Sequence, residues 1–233
     1  YTRLMATFGG KIEHLIIGGA ALNKEVEKIL KQIKFPFTCG YGMTECAPLV
    51  CYAHWSTFVK GSCGRIVDRM EIRVESDNPR KHEGELLVRG NAVMRGYYKN
   101  MQATDNIFTE DGWMRTGDVG IIDRKGNVFL KGRSKNMILG ASGQNIYPEE
   151  IEDLLNTMDC VSESVVVERE GKLIGLVFPE STENIEKITS IMGENLQKLN
   201  KLLPSFSKLS DIEIVKQEFE KTPKKSIKRF LYK

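Results

Sequence analysis

The chain has 233 residues, 41% of them hydrophobic, and its 34 basic and 31 acidic residues leave a net charge of +3. This size allows two domains of ordinary size, each with its own packed core, and the small net charge argues against a dedicated nucleic-acid surface. The five cysteines contain no CxxC pair and do not form a disulfide pattern. Together with the lack of an apolar run of membrane-spanning length, they predict reduced thiols and a cytoplasmic setting.

The first part of the chain alternates strand and helix signals. An apolar run at residues 14–17 ends at the glycine pair 18–19, and Asn23 then stands where a helix N-cap is expected. A second strand at residues 35–39 leads into a loop at residues 40–45, and loops at strand ends are where open α/β sheets bind ligands. The predicted apolar stripe of the helix comprises Val26, Ile29, Leu30 and Ile33.

Residues 64–131 change to short alternating strands separated by Gly, Asn and Asp turns, which predicts a β-rich subdomain. A polar, glycine-rich stretch begins at Gly132, and the domain boundary is placed before it. The predicted fold class is therefore α/β in residues 1–131, followed by a small α+β domain in residues 132–233.

The second domain is predicted to begin its helical structure at Pro148, because proline at the first helical position and two acidic residues behind it are typical of a helix start. Two strands within residues 163–178 follow. A longer amphipathic helix over residues 184–203 and a last strand near residues 211–215 complete the domain.

Residues 40–45 read Gly-Tyr-Gly-Met-Thr-Glu. This run resembles a motif of the adenylate-forming enzymes, which comprise acyl-CoA synthetases, luciferases and peptide-synthetase adenylation domains. The resemblance implies that Tyr41, between Gly40 and Gly42, stacks on adenine, that Thr44 reaches the α-phosphate, and that Glu45 holds Mg²⁺. A carboxylate is a hard oxygen ligand that suits Mg²⁺, and an aromatic ring between glycines lets a purine lie flat. The alternative is an ordinary turn with a surface glutamate.

Three further segments resemble the same family, in the family's order. Gly18, Gly19 and Ala20 resemble its adenine and acyl-channel loop, particularly as it occurs in long-chain fatty acyl-CoA synthetases, although a strand-to-helix turn is the alternative. The resemblance implies that Asp118, in the run at residues 112–118, accepts hydrogen bonds from both ribose hydroxyls, and an acceptor-only carboxylate suits a vicinal diol. Arg133 matches the ribose-contacting arginine. The alternatives are a turn aspartate and an exposed linker arginine.

Two positions match features that the family uses when its small domain changes pose. Lys135 stands where the family has its hinge, which swings the small domain between an adenylating and a thioester-forming pose. Gly143 lies in a loop at residues 140–152 that resembles the lining of the pantetheine tunnel. The segment at residues 84–100 resembles a structural β motif and is interpreted as scaffold.

Two departures qualify the resemblance. The family's glycine-rich phosphate loop is absent, so the chain is expected to be a C-terminal piece that binds nucleotide weakly and does not catalyse alone. Near the end, residues 220–229 resemble the last family motif, but Ser226 occupies the position of its catalytic lysine. Either Lys225 or Lys224 supplies the charge instead, or adenylation is slow. The basic tail is also consistent with a solvated end, or with a contact to anionic lipid or CoA phosphates.

The resemblance implies a long-chain fatty-acid–CoA ligase with ATP, Mg²⁺ and CoA as cofactor and co-substrates, and a fatty acid as substrate. No nucleic acid and no obligate protein partner are expected. The alternatives are an adenylation domain that loads a carrier protein, and a degenerate nucleotide-binding or interaction module, which Ser226 motivates. Peripheral membrane contact stays open beside the cytoplasmic setting.

Overall fold

The computed structural model describes residues 1–19, 21–79, 81–140, 143–223 and 225–232. The chain divides into two compact units, Tyr1–Ser134 and Lys135–Lys233. The boundary predicted between residues 131 and 132 falls inside the last strand of the first unit, and the roles assigned to the two domains stay predictions. No helix in the described part of the chain is both long enough and apolar enough to cross a bilayer.

The first unit begins with a small α/β portion and continues into β structure. Its two-residue strands β3 and β5 mark short antiparallel pairings with β4. Its elements are, in chain order, α1 (Thr2–Thr7), β1 (Leu15–Ile17), α2 (Lys24–Gln32), β2 (Phe37–Cys39), β3 (Tyr41–Gly42), β4 (Leu49–Tyr52), β5 (Arg65–Ile66), β6 (Met70–Glu75), β7 (Gly84–Gly90), α3 (Met101–Ile107), β8 (Met114–Ile122) and β9 (Val128–Arg133).

Helix α2 connects the parallel strands β1 and β2. Its predicted N-cap is confirmed, because the Asn23 side chain accepts hydrogen bonds from the backbone N–H groups of the first turn. The predicted apolar stripe is partly wrong: Val26 and Ile29 are 44% and 53% exposed. Leu30 is buried as predicted and packs with three phenylalanines, and the buried Glu27 carboxylate accepts a hydrogen bond from the Gly61 N–H. The buried face of the helix therefore includes Glu27 and Leu30 but not Val26 or Ile29.

The β-rich subdomain is confirmed as an antiparallel sheet in the order β6-β7-β8-β9. Its inner face packs against β3 and β4 in a core that includes Val50, Leu86, Val88 and Met114. Helix α3 was not predicted. It is short and has no buried residue, so it carries little amphipathic signal, although Asn100 caps its N-terminus.

The second unit is an α+β fold, as predicted. Its main sheet has the order β12-β13-β14, with an antiparallel first pair and a parallel second pair. Its elements are β10 (Ile138–Leu139), β11 (Asn145–Ile146), α4 (Pro148–Leu155), β12 (Val161–Arg169), β13 (Lys172–Pro179), α5 (Ile185–Leu202) and β14 (Asp211–Ile214).

Both faces of this sheet are covered. Helices α4 and α5 pack on one face through residues such as Ile151, Leu155 and Leu199. Val165 and Val167 point to the other face, where Phe219 and Tyr232 cover them with ring centroids 5.0 Å apart. Tyr232 therefore packs on the sheet, and interpreting the tail as a solvated end is wrong at this residue, whereas Phe230 and Leu231 are 71% and 47% exposed. The alternating strand pattern shows two apolar faces but does not indicate which segment covers the second.

Candidate functional site

Tyr41, Asp118 and Arg133 form one connected cluster in the first unit. The Tyr41 hydroxyl donates a hydrogen bond to Asp118 Oδ2 at 2.6 Å, and Arg133 Nε lies 2.9 Å from Asp118 Oδ1. Tyr41 and Asp118 are each only 7% exposed, whereas about half of the Arg133 side chain is exposed. Burial and the neighbouring Asp118 carboxylate raise the Tyr41 pKa, so the phenol keeps its proton and acts as a donor. Three residues predicted as nucleotide-binding are thus brought together.

Strand pairing places this cluster. Asp118 on β8 lies directly opposite Arg133 on β9, so the register of the antiparallel pair sets the two side chains side by side. Thr116, which the sequence did not single out, links Asp118 to the sheet: its hydroxyl donates to the Leu86 carbonyl and accepts from the Asp118 N–H. Thr116 lies in the run at residues 112–118, but the resemblance implies a role there only for Asp118.

An ion network supports the turn before Asp118. Arg115 lies within 2.8 Å of both Glu75 and Glu85, and those two carboxylates raise the Arg115 pKa. Glu85 also accepts a hydrogen bond from the Gly117 N–H at 2.9 Å. The network therefore fixes the backbone immediately before the candidate ribose acceptor.

The two glycine motifs lie next to each other. The Gly40 N–H donates to the Ile17 carbonyl at 2.9 Å, and a side chain added at Gly18 would lie 3.5 Å from the Gly40 carbonyl oxygen. Gly18 and Gly19 therefore border the segment that leads to Tyr41. Ala20, predicted with them, lies outside the described residues.

The glycines around Tyr41 were interpreted as room for a bulky neighbour, and the structure corrects this at Gly42. A Cβ there would lie 2.2 Å from the Pro48 carbonyl oxygen, so the chain's own backbone makes the close approach. At Gly40 the nearest atoms lie at 3.4 Å or more from an added Cβ. Gly42 is therefore required by the turn between β3 and β4.

Thr44 and Glu45 lie on the short 3₁₀ helix Thr44–Cys46 that follows β3. Thr44 is exposed and Glu45 is half-buried. The Tyr97 hydroxyl donates to Glu45 Oε1 at 2.9 Å. The sequence predicts residues 84–100 only as scaffold and gives no signal for this contact.

A single half-buried carboxylate fits a Mg²⁺ ion that also takes ligands from substrate phosphates and water. The described residues contain no cluster of three or more His, Cys, Asp or Glu side chains able to hold a metal by themselves. Glu45 is therefore suited to share an ion with a bound phosphate.

Lys135, Gly143 and Lys225 belong to the second unit. Lys135 is exposed on the 3₁₀ turn Ser134–Asn136, and Gly143 lies in the turn between β10 and β11, where its N–H donates to the Gly140 carbonyl.

Lys225 ends a tight turn: its N–H donates to the Thr222 carbonyl at 2.8 Å, and its φ is +61°. Ser226 follows and pairs with the Thr222 N–H through its carbonyl. Lys224 lies outside the described residues.

A buried ion pair ties the C-terminal segment to helix α4. Arg229 donates from both terminal nitrogens to Glu152, at 2.6 and 2.5 Å, and Glu152 also accepts a hydrogen bond from the Val166 N–H. The Glu152 carboxylate raises the Arg229 pKa. The pair therefore holds the segment that follows Lys225 and Ser226 against the sheet of the second unit.

Comparison with known families gives two matches that together span most of the chain. Residues 3–98 match the family described as AMP-binding enzyme, and residues 135–232 match the AMP-binding enzyme C-terminal domain.

Among curated relatives, a long-chain-fatty-acid–CoA ligase of Mycobacterium bovis is 34% identical over 186 residues, which are 80% of this chain and 30% of that protein. A 4-coumarate–CoA ligase of Vanilla planifolia is 34% identical over 179 residues, 71% of this chain and 32% of that protein. The chain therefore spans about a third of the length of these two relatives.

The fold is also shared with solved structures. The o-succinylbenzoate CoA synthetase of Bacillus subtilis, in complex with its acyl-adenylate intermediate, matches all of this chain and 50% of its own, with a TM-score of 0.79 and 22% identity. The predicted fold class is confirmed by this likeness.

Proposed function

We propose a function from one premise, that this chain belongs to the AMP-binding enzyme family. The protein that contains it is an ATP-dependent acid–thiol ligase. In the first step the oxygen of a substrate carboxylate bonds to the α-phosphorus of ATP, and pyrophosphate leaves. In the second step the sulfur of CoA bonds to the acyl carbon, and AMP leaves. The sequence similarity to two CoA ligases supports this reaction class.

The observation that carries the proposal is the buried contact between Tyr41 and Asp118, with Arg133 beside it. We assign Asp118 to the ribose hydroxyls, because its carboxylate is held in one orientation by two donors and accepts hydrogen bonds only. Arg133 contacts the same sugar. Tyr41 lies against adenine, and its hydroxyl has the additional task of orienting Asp118.

Two neighbours of this cluster extend it toward the phosphates. Thr44, exposed at the start of its 3₁₀ helix, is assigned to the α-phosphate, and Glu45 to Mg²⁺. When bound, Mg²⁺ neutralises charge on the phosphate oxygens. Gly18, Gly19 and Gly40 provide a border without side chains beside the nucleotide.

The missing lysine at Ser226 needs a substitute charge, and we assign it to Lys225. This residue keeps a left-handed backbone conformation that costs a non-glycine residue about 1–2 kcal/mol. Strain that a glycine would remove is often kept where the side chain has a function. A positive charge near the α-phosphate stabilises the charge that develops there.

Lys225→Gln, which keeps the strain and removes the charge, tests this assignment by acid-dependent pyrophosphate exchange in the full-length protein. We expect a loss of about 100-fold, the size typical of removing one electrostatic contact to a transition state. Lys228→Gln, which removes a nearby positive charge that pairs with Glu220, is the control and should retain exchange. Full activity of Lys225→Gln would refute the assignment, as would an increase of several orders of magnitude in Ser226→Lys.

For the substrate we propose a long-chain fatty acid, on the resemblance of the loops at Gly18 and Gly40 and on one of the relatives above. The other relative acts on 4-coumarate by its name, so both acids belong in the test. Full-length protein is assayed with MgATP, CoA and fatty acids of graded length, together with 4-coumarate. Preferential turnover of 4-coumarate would overturn the fatty-acid assignment, and no acid-dependent exchange at all would favour a degenerate nucleotide-binding module.

A further inference from the structure

One segment holds both the backbone and the side chain of Glu45. The Met94 N–H donates to the Glu45 carbonyl at 2.7 Å, and three residues later the Tyr97 hydroxyl donates to Glu45 Oε1 at 2.9 Å. These contacts come from the stretch between β7 and α3, which the sequence indicated only as scaffold. The carboxylate is therefore held at two points by the same stretch of chain.

This segment is itself fixed against helix α3. The Tyr97 N–H donates to Thr104 Oγ1 at 2.9 Å, and the Thr104 hydroxyl donates onward to the Asn100 carbonyl at the same distance. Gly96, with φ of +152°, lies so close to Thr104 that an added Cβ would be 2.7 Å from its methyl group. A glycine is thus required for the chain to lie against the helix and for Tyr97 to reach Glu45.

The Tyr97 contact constrains how Glu45 presents itself. A phenol that donates to Oε1 holds that oxygen in place, and among the described residues no hydrogen bond to Oε2 is found. Partners that orient a metal-ligating carboxylate reduce the ordering needed when the metal binds, and their loss typically weakens metal affinity 10- to 100-fold.

We propose that Tyr97 is a positioning residue for the divalent-cation site, holding Glu45 so that Oε2 faces the ion. This inference rests on the proposed function, in which Glu45 binds Mg²⁺. It goes further by giving the segment at residues 91–100 a role in metal binding. Tyr97 acts through Glu45 and touches neither metal nor nucleotide in this assignment.

The chain offers a matched control. Tyr98 is the next residue and 87% exposed, and its ring lies near Lys99. Tyr98→Phe therefore removes a tyrosine hydroxyl from the same segment, but one that does not contact Glu45. Tyr97, which is 37% exposed, keeps its ring in Tyr97→Phe and loses only the donor.

The experiment measures Mn²⁺ binding to the full-length protein with ATP by electron paramagnetic resonance, and in parallel the Mg²⁺ dependence of pyrophosphate exchange. For Tyr97→Phe we expect Mn²⁺ affinity to fall, and the half-saturating Mg²⁺ concentration to rise, by about 10-fold. The rate at saturating Mg²⁺ should stay within about 2-fold of the parent rate, because the hydroxyl contacts no reacting atom. Tyr98→Phe should match the parent protein in both measurements.

Glu45→Gln separates the failure of this inference from the failure of the proposed function. If Glu45→Gln leaves Mn²⁺ affinity unchanged, Glu45 is not a ligand and the proposed metal assignment falls, and this inference with it. If Glu45→Gln weakens binding and Tyr97→Phe does not, only the positioning role is refuted. An equal rate loss for Tyr97→Phe at every Mg²⁺ concentration, with normal Mn²⁺ binding, would also refute it.

Thr104→Val serves as a second variant in case Tyr97→Phe folds poorly. It removes the acceptor of the Tyr97 N–H but leaves the hydroxyl of Tyr97 in place. A smaller loss of Mn²⁺ affinity in the same direction is expected, and unchanged affinity in both variants would overturn the proposal.

Discussion

Replacing Tyr41 with phenylalanine removes one hydrogen bond at the centre of the candidate nucleotide site. The hydroxyl lies 2.6 Å from Asp118 Oδ2, and both residues are 7% exposed, so solvent does not replace the lost donor. A hydrogen bond to a charged group contributes about 1.5–3 kcal/mol, and we expect the free energy of unfolding of the first unit to fall by about 2 kcal/mol. Asp118→Asn and the double variant complete a mutant cycle, with a coupling energy of at least about 1 kcal/mol.

The two tryptophans of the chain make the assay specific. Trp55 and Trp113 both lie in the first unit, and Trp113 is buried beside two arginines, so tryptophan fluorescence during urea unfolding reports on the unit that contains Tyr41. A change below about 0.5 kcal/mol in Tyr41→Phe, or additivity of the two single variants, would refute the reasoning, because distant independent sites add within that range.

The same pair predicts a pH dependence. The Tyr41 pKa is raised in the folded protein, first by burial and then by Asp118, so above a pH of about 10 the unfolded chain loses a proton that the folded chain keeps. The contribution of protonated Tyr41 to the free energy of unfolding is therefore fully present below the pKa of tyrosine in the unfolded chain. Above that pKa it decreases as pH rises, by up to about 1.4 kcal/mol per pH unit. Tyr41→Phe should lose this contribution, and an identical slope in parent and variant would contradict the predicted shift.

Two further predictions concern the rest of the chain. Arg229→Met leaves the buried Glu152 carboxylate without its partner and should lower the free energy of unfolding of the second unit by about 3–5 kcal/mol, measured by chemical denaturation followed by circular dichroism. The double variant Glu152→Met/Arg229→Met should recover most of that stability. Equal losses in the single and double variants would contradict a cost that comes from the unpaired charge. Burial raises the pKa of the Cys51 thiol to about 12, and the residue is fully buried. In the native protein at pH 8, Cys51 should therefore react with a disulfide reagent far more slowly than the partly buried Cys160, and fast modification of all five cysteines before unfolding would refute this.

Most of the fold could be predicted from the sequence, because the signals that carry it are local. Asn23 caps helix α2 through its own side chain, and Pro148 occupies the first position of helix α4. Each of these signals lies within one turn of the helix that it starts. The first half of β8 alternates between buried and half-buried residues, as a period-2 pattern predicts, whereas Leu86, Leu87 and Val88 on β7 are all buried. The apolar stripe of α2 failed at Val26 and Ile29, whereas Glu27 is buried and makes a tertiary contact that the helical pattern does not indicate.

The candidate site was predictable only as a set of residues, not as a set of contacts. Tyr41 and Asp118 are 77 residues apart, and Glu45 and Tyr97 are 52 residues apart, and no periodicity links partners at such separations. Thr116 and Arg115 lie in the run at residues 112–118, but the resemblance implies a role only for Asp118, whereas their contacts fix the turn that presents it.

Gly42 shows that a glycine in the sequence can correctly predict a close approach to the backbone without identifying the group that approaches. A glycine reports that something comes close to the backbone, and here it is the Pro48 carbonyl rather than a ligand. The turn that this contact allows sets the geometry of the 3₁₀ helix with Thr44 and Glu45 immediately after Tyr41. A larger residue at Gly42 should therefore displace those two side chains without touching any nucleotide, so the glycine serves binding through the backbone that it permits.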